Sequence, residues 1–550
     1  MIRFIILSAA FLVVGACQER RLSAEKVFIG KTWTGTDDPA WAGGFAIIAD
    51  TVAAIGPESD IRKWIGEGTV VNVINDSSII VPGFIDSHTH FVDGGFALSS
   101  VQLRDAKTPA EFIQRIKAFA LTLPAGTWIT NGDWDHENWG GELPTRDWID
   151  SVSRFHPVWI NRLDGHMSLA NSAAIAAAGI SAKVRDISGG TIVRDKRGRL
   201  TGIFKDNAMS LINAAVPPPS DDLQDRALEA AMNYVASHGV TSVHNMSGYH
   251  EVFMRAREAG ALKTRIYAGM QLEDWSLLNE VIKENGLGDK WLRIGSLKEF
   301  VDGSLGSHTA AFFEPFTDSP EDSGFFVIDQ QLLYRRIKSA DSLGLQCMVH
   351  AIGDRAIHTL LDIFERVARE NGARDRRFRI EHAQHVHPGD LHRFASLKVI
   401  ASMQPYHAID DGRWAEKVIG YERGKTTYAF RSLTDLNAKL AFGSDWFVAP
   451  PIPLEGIYAA VTRRTLDGKN PDGWMPHQKI GVDEALRAYT VNGAYASFEE
   501  HLKGSLQPGK LADFVVLNRD ITRIPGDEIR DVKVLKTVVG GVIVFERAVN

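Results

Sequence analysis

Ile79-Ile80-Val81-Pro82-Gly83-Phe84-Ile85-Asp86-Ser87-His88-Thr89-His90 is the stretch from which the rest of the chain can be read. It starts as a β-branched run, crosses a Pro-Gly turn and ends in two histidines one residue apart. Side chains alternate faces along a strand, so His88 and His90 project to the same side. Two neutral imidazoles on one face at a strand end can grip a divalent cation. A His-x-His pair alone is equally compatible with packing or surface histidines, so the weight falls on what else the chain brings to that place.

Downstream, strand-like runs alternate with amphipathic helices. The predicted strands after the first are Val240 to Asn245, Arg265 to Met270, Leu292 to Val301, Leu345 to His350, Phe378 to His382, Val399 to Gln404 and Leu440 to Asp445. Between them Leu333, Ile337 and Ala340 make one helical apolar stripe, and Ile357, Leu360, Phe364 and Val367 another. Eight strands separated by helices predict an α/β fold, a (β/α)8 barrel over residues 81–480. Residues 100–225 exceed what a barrel connection needs. Because they leave the end of the first strand, they are expected to form a lid over the C-terminal mouth. Short Gly- and Asp-punctuated strands in 25–80 and again in 481–550 predict a small β-sandwich built from both ends of the chain.

The first sixteen residues read as a lipoprotein-type signal peptide. Arg3 gives a small positive region, Phe4 to Val14 an apolar one too short to span a bilayer comfortably, and Val14-Gly15-Ala16-Cys17 a processing site. Cys17 would then be lipidated and hold the protein at the periplasmic side of a bacterial membrane. Gln18 points to the outer membrane. The plainer alternative is an ordinary secretory signal. Several acyl chains on one cysteine are needed for stable anchoring, since one binds only marginally. With Cys17 so used, Cys347 is left alone and no internal disulfide can form. A net charge of −7 with interspersed signs argues against a nucleic-acid binder.

Strand ends are where a barrel puts its chemistry. Met348-Val349-His350, Arg379-Ile380-Glu381-His382 and Phe442-Gly443-Ser444-Asp445 each close a predicted strand. Ser296-Leu297-Lys298-Glu299 lies in the fourth, ahead of Asp302-Gly303-Ser304. With Asp164-Gly165-His166, His350-Ala351-Ile352-Gly353-Asp354-Arg355-Ala356 and Gly504 to Asp513, these pieces make the chain resemble the amidohydrolase superfamily over nearly all its mature length. Within it the resemblance is to the amidohydrolase-3 branch, which includes N-substituted formamide deformylases. The resemblance implies that His88 and His90 bind one metal, His350 and His382 a second, and that Asp445 completes the set. It also implies a CO2-derived carbamate on Lys298 bridging the two. His166, in the matching Asp164-Gly165-His166, is a substrate-binding candidate.

The chemistry of these groups is consistent with that assignment. A metal lowers the pKa of its water from 15.7 towards ~7, so hydroxide is generated at neutral pH. Asp445 is the expected proton shuttle, accepting from the nucleophile and delivering to the leaving amine. The expected cofactor is one or two divalent ions, zinc ahead of iron, manganese or nickel. The expected substrate is a small-molecule amide, cut at a non-peptide C–N bond. Neighbours in a strand alternate, so either Lys298 or Glu299 faces the barrel interior, not both. Glu381 is expected to point away from the metals and Asp302 to play a supporting part. His244, His308, His385, His387 and His407 are expected to be satisfied polar residues. Dense aromatics, Trp134, Trp139, Trp148, Phe312, Phe313, Trp414 and Trp446 among them, should mainly pack the core, with a minority lining an apolar pocket.

Two other functions compete. A mononuclear deaminase or cyclic-amide hydrolase could use the same barrel, but deaminases usually carry a glutamate three residues past the fifth-strand histidine. Here that position is Gly353. A non-catalytic ligand-binding lipoprotein would be expected to show an eroded ligand set, whereas His88, His90, His350, His382 and Asp445 are all present.

Overall fold

The computed structural model describes residues 23–548. The signal peptide and the lipidation site at Cys17 lie outside the described residues.

Eight parallel strands form one sheet in chain order: β1 Phe84–Thr89, β2 Val240–Asn245, β3 Arg265–Gln271, β4 Leu292–Phe300, β5 Gln346–Ala351, β6 Arg379–His382, β7 Ile400–Met403 and β8 Leu440–Phe442. All eight predicted strands are there. Helices alternate with them and bury the faces their sequence spacing marked. In the helix Asp354–Asn371, for example, Ile357, Leu360, Phe364 and Val367 are all buried. The sheet closes into a barrel between its last and first strands. Just past β8, the Asp445 amide donates to the His88 carbonyl at 2.7 Å, and the His90 amide donates to the Trp446 carbonyl at 2.6 Å. Closure demands close approach: a Cβ on Gly443 would lie 2.5 Å from the His88 nitrogen, so only glycine fits there. Beside it the Asp86 carboxylate accepts the Ser444 amide at 2.9 Å and its hydroxyl at 2.6 Å, joining first strand to last.

The strand Ile79–Pro82 belongs to a different sheet, and Gly83 hands the chain into the barrel. That second sheet runs in the order Val542–Glu546, Val534–Val539, Phe514–Leu517, Ile79–Pro82, Lys26–Trp33, Trp41–Ile48, Thr51–Gly56, with Val70–Val73 also pairing with Lys26–Trp33. Both ends of the chain build it, as the terminal β-patterning predicts. It is one hydrogen-bonded sheet that curls on itself. Its far edge meets the stretch before Phe514, with the Val52 amide on the Lys510 carbonyl at 2.8 Å. Phe28, Phe45 and Phe514 pack inside the curl, with ring centroids 4.7 to 5.6 Å apart. The helices Val482–Ala488 and Val491–Ala496 fall within the stretch that sequence patterning gives to this sheet. They pack instead on barrel strands β8 and β1, so the barrel continues past residue 480. Helix amphipathicity serves either neighbour equally, and only the packing decides which one is covered.

The long connection after β1 is a subdomain with its own five-stranded sheet, ordered Gly190–Arg194, Leu200–Asp206, Met167–Ala170, Val158–Asn161, Ile129–Thr130. Phe112, Ile116, Trp134 and Ile160 form a core on one side, and Trp159, Phe204 and Ile212 on the other. Its hairpin Val158–Asn161/Met167–Ala170 is antiparallel, and the loop between, 162–166, reaches the barrel mouth.

A buried ion pair fastens the terminal sheet to the barrel. Asp513 accepts from Arg265 Nε at 2.6 Å and Nη2 at 2.8 Å, and also from the Gly540 amide at 2.7 Å. Removing one partner of such a pair strands the other charge. Asp513→Ala is therefore expected to cost about 3–5 kcal/mol, read as a lower denaturant midpoint, and a second change, Arg265→Met, is expected to recover part of the loss.

Candidate metal centre and active site

The C-terminal ends of the barrel strands converge on a cavity of about 170 Å³, lined by His90, Lys298, His350, His382 and Asp445 among others. His88 lies fully buried beneath it. One ligand atom each of His88, His382 and Asp445 lies within 4.8 Å of the other two. Asp445 Oδ1 is 3.2 Å from His88 Nε2 and 3.4 Å from His90 Nε2. The His350 ring is 4.5 Å from that of His382, centroid to centroid.

Hydrogen bonds on the far side of each ring decide which nitrogen is free. His88 Nδ1 donates to Glu381 Oε2 at 2.6 Å, leaving Nε2 with no partner although it is buried. His382 Nδ1 donates to the Gln404 amide oxygen at 2.9 Å, which leaves Nε2. His350 Nε2 donates to the Gly303 carbonyl at 3.0 Å, leaving a buried Nδ1 without a partner. For His90 the deduction takes one more step. The Ser247 hydroxyl spends its proton on Asp93 Oδ2 at 2.7 Å, so it must accept from His90 Nδ1 at 2.6 Å, again freeing Nε2. Ring nitrogens bare of protons and partners are costly in a dry interior, and metal-binding histidines are held in this manner by their other nitrogen. The residues present fit a divalent cation.

Electrostatics agree for His350 and His382, while at His88 a cation would have to displace a proton. Burial holds His350 and His382 well below the ordinary imidazole range, so both are neutral and keep a lone pair for a cation. Burial also opposes charge on His88 and Asp445, but their proximity, with Glu381 beside His88, outweighs it. His88 is raised and Asp445 held well below the usual carboxylate range. Lys298 is brought down to about 8 by burial, against the pull of Glu381 and Asp445. Its Nζ is buried without a hydrogen-bond partner, 4.0 Å over the Phe300 ring.

Alternation along β4 resolves the choice between neighbours. Lys298 faces the cavity, and Glu299 faces out to pair with Arg336 at 3.0 Å. Glu381 points inward beneath the centre, holds His88 and is itself held by Arg379 Nε at 2.7 Å. Strict alternation would turn His382 away from Glu381's side. Instead the backbone at His382 is left-handed, φ 71°, and swings the ring onto the mouth. Asp302 takes no part in the ligand cluster. It accepts the amides of Ala311 and Gly353 at 2.8 Å and Ile352 at 3.0 Å, pinning the loops after β4 and β5.

The insertion supplies the roof. Gly165, at φ 71°, lets Asp164 and His166 turn back on themselves. Asp164 pairs with Arg162 at 2.7 Å and takes hydrogen bonds from Ser304 and Ser307. His166 Nδ1 donates to Asp206 Oδ1 at 2.7 Å, and its ring lies 5.0 Å from that of His350, on the cavity wall. Ser247, Asp93 and Gln404 are functional positions that sequence reading missed. Nothing marks them beyond their place just past a barrel strand. His407, read as an ordinary polar residue, lines the cavity with a buried, unpartnered Nε2.

The model of a family described as "Amidohydrolase family" matches residues 78–545. "Protein LONG AFTER FAR-RED 3" of Arabidopsis thaliana is 40% identical over 531 residues, covering 93% of this chain and 90% of that protein. "N-substituted formamide deformylase" of Arthrobacter pascens is 29% identical over 525 residues, covering 90% of this chain and 93% of its own. Among solved structures, an uncharacterized metal-dependent hydrolase from Pyrococcus horikoshii has a TM-score of 0.74 at 28% identity, covering 91% of this chain and 99% of that one.

The Asp93–Ser247–His90 relay is testable because it touches no ligand atom. Ser247→Ala removes the acceptor that fixes the His90 tautomer, and supporting partners of this kind are worth about 10–100-fold in metal affinity. A loss at the lower end of that range is expected in a chelator competition.

Proposed function

Because the chain belongs to the amidohydrolase family, in its amidohydrolase-3 branch, we propose that this metal-dependent hydrolase cleaves the C–N bond of a small non-peptide amide, N-substituted formamides included. The products are a carboxylic acid and an amine. The observation that carries the reading is the set of buried imidazole nitrogens without partners, gathered around an ionised Asp445 at a barrel mouth. The formamide deformylase relative supports the substrate class.

His88, His90 and Asp445 would hold a first cation, and His350 and His382 a second, with Lys298 serving both. Bound metal supplies Lewis acidity towards water and the substrate carbonyl. Asp445, kept ionised among histidines, takes a proton from the attacking water and returns it to the departing nitrogen, so charge is conserved over the cycle. His166, held by Asp206, presents its other ring nitrogen to the cavity, where it can orient the substrate. Leu163, Phe300 and Phe447 exclude bulk water around the reacting atoms. Lys298 supports the carbamate reading: a neutral amine adds to CO2 with loss of one proton, and the resulting two oxygens can serve two cations. A buried ammonium with no hydrogen-bond partner is an expensive alternative.

Deaminase chemistry finds no support in the loop after β5. A Cβ at Gly353 would lie 2.1 Å from the Ala311 carbonyl oxygen, so the glutamate such enzymes use there has no room.

Elemental analysis of wild type and Lys298→Ala, with turnover of N-aryl and N-alkyl formamides and acetamides, tests the reading. Two ions in wild type, falling to one or none in the variant with hydrolysis lost, is the expected result. One ion in both proteins with activity kept would discard the carbamate. Asp445→Asn is expected to lower kcat by about 10²–10⁴, the usual worth of a positioned acid–base group.

We also propose that Cys17 is lipidated and anchors the protein to a bacterial membrane, on the strength of the Val14-Gly15-Ala16-Cys17 sequence. Among the described residues no helix is long and apolar enough to cross a membrane. In a Gram-negative host, Cys17→Ser should move the protein from the membrane pellet to the soluble fraction. Retention in the pellet without acylation would sink the anchor.

A further inference from the structure

The cavity has two ends. One holds the candidate metal ligands; the other is walled by the hairpin loop of the insertion and by the helix Pro405–Asp411 with the turn that follows it. Charge at this far end is almost completely paired. Arg162 lies 2.7 Å from Asp164 and 3.3 Å from Asp135. Arg413 pairs with Asp135 at 3.2 Å and with Asp410, which Arg104 also reaches at 3.5 Å. Arg162 lines the cavity, but its two carboxylate partners already satisfy it, so it offers little to an anionic substrate group.

Asp411 is the exception. It lines the cavity and takes part in no ion pair among the described residues. Its two hydrogen bonds, from Gln384 Nε2 at 2.9 Å and the Tyr428 hydroxyl at 2.5 Å, both fall on Oδ2. Oδ1 accepts from neither. The Tyr428 and Gln384 bonds fix the carboxylate's orientation, so the free oxygen is held in place. Burial raises Asp411 to about 7, with the neighbouring Asp410 charge adding to the rise and the Tyr428 hydroxyl, then Arg162 and Arg413 at longer range, opposing it. Half-buried Trp414 stands one turn beyond Asp411 and also lines the cavity. A free carboxylate oxygen with an indole on the same wall is the chemistry that receives an ammonium, by a charge-assisted hydrogen bond and by cation–π attraction.

We propose that the far end of the cavity is a subsite for an ammonium group on the substrate, with Asp411 as its anionic contact and Trp414 as its aromatic face. This rests on the amide-hydrolase reading: the scissile amide lies at the metal end and the cationic nitrogen, on the same molecule, at the other. The cavity volume of about 170 Å³ restricts the substrate to a short aminoalkyl amide.

Two measurements test it on the metal-loaded protein. The first is calorimetry with butylammonium chloride on wild type, Asp411→Asn and Trp414→Leu, each variant's folding checked by its unfolding midpoint. Binding by wild type, weakened about tenfold or more by Asp411→Asn and less by Trp414→Leu, is the expected result. No binding to wild type, or equal affinity for wild type and Asp411→Asn, overturns the subsite. The second compares kcat/KM for N-formyl-1,4-diaminobutane and its neutral counterpart N-formylpentylamine. Wild type should prefer the ammonium compound, and Asp411→Asn should bring the ratio towards one. A wild-type preference for the neutral compound overturns the proposal. Failure to turn over either compound counts against the formamide reading, while calorimetry still decides the subsite.

Discussion

The seam between the last barrel strand and the first is the constraint on which the centre depends. A parallel barrel closes only if those strands approach within hydrogen-bonding distance, and here the bond from the Asp445 amide to the His88 carbonyl does it. That one bond also brings the Asp445 carboxylate beside the His88 imidazole. Closure and ligand geometry are therefore the same event. Gly443 permits the contact by having no side chain, and Asp86 locks it through Ser444.

Around the seam, the barrel interior carries charge that water does not reach. Arg379 supplies the counter-charge beneath the centre, touching Glu381, the Ser402 hydroxyl, His244 and the Ser87 carbonyl. Glu381 in turn fixes His88. Such a network tolerates burial because its charges are paired and its donors used. His244 Nε2 is left bare within it, and so are His88 Nε2 and His350 Nδ1 at the centre, where a cation would restore the balance. The insertion completes the enclosure: its 162–166 loop closes the roof with an Arg162–Asp164 pair of its own, so polar walls need not face the metal site with unspent charge.

Much of this was legible in the chain. Each of the eight strands carries a period or a β-branched run strong enough to recognise, and barrel geometry requires strand ends to meet, so His88, His90, Lys298, His350, His382 and Asp445 could be named together. Less was legible where neighbouring residues compete. Lys298 against Glu299 needed the register of β4, and His382 breaks the alternation that should have turned it away. Ser247, Asp93 and Gln404 carry no motif, because a supporting hydrogen bond requires only a donor or acceptor in the right place. The same is true of Asp411: its unpaired state is a property of what the surrounding arginines do. Within 481–550, the helices Val482–Ala488 and Val491–Ala496 cover the barrel, since an apolar stripe specifies burial and not which partner provides it.

By itself, then, the sequence determined the barrel, the two-ended construction of the smaller sheet and the residue types gathered at the mouth, because periodicity and strand-end position are local properties of the chain. Only the tertiary structure decided which ring nitrogens stay free, which acid steadies His88 and which carboxylate is left without a cation. Those depend on distances between residues hundreds of positions apart, and local patterning carries no record of them.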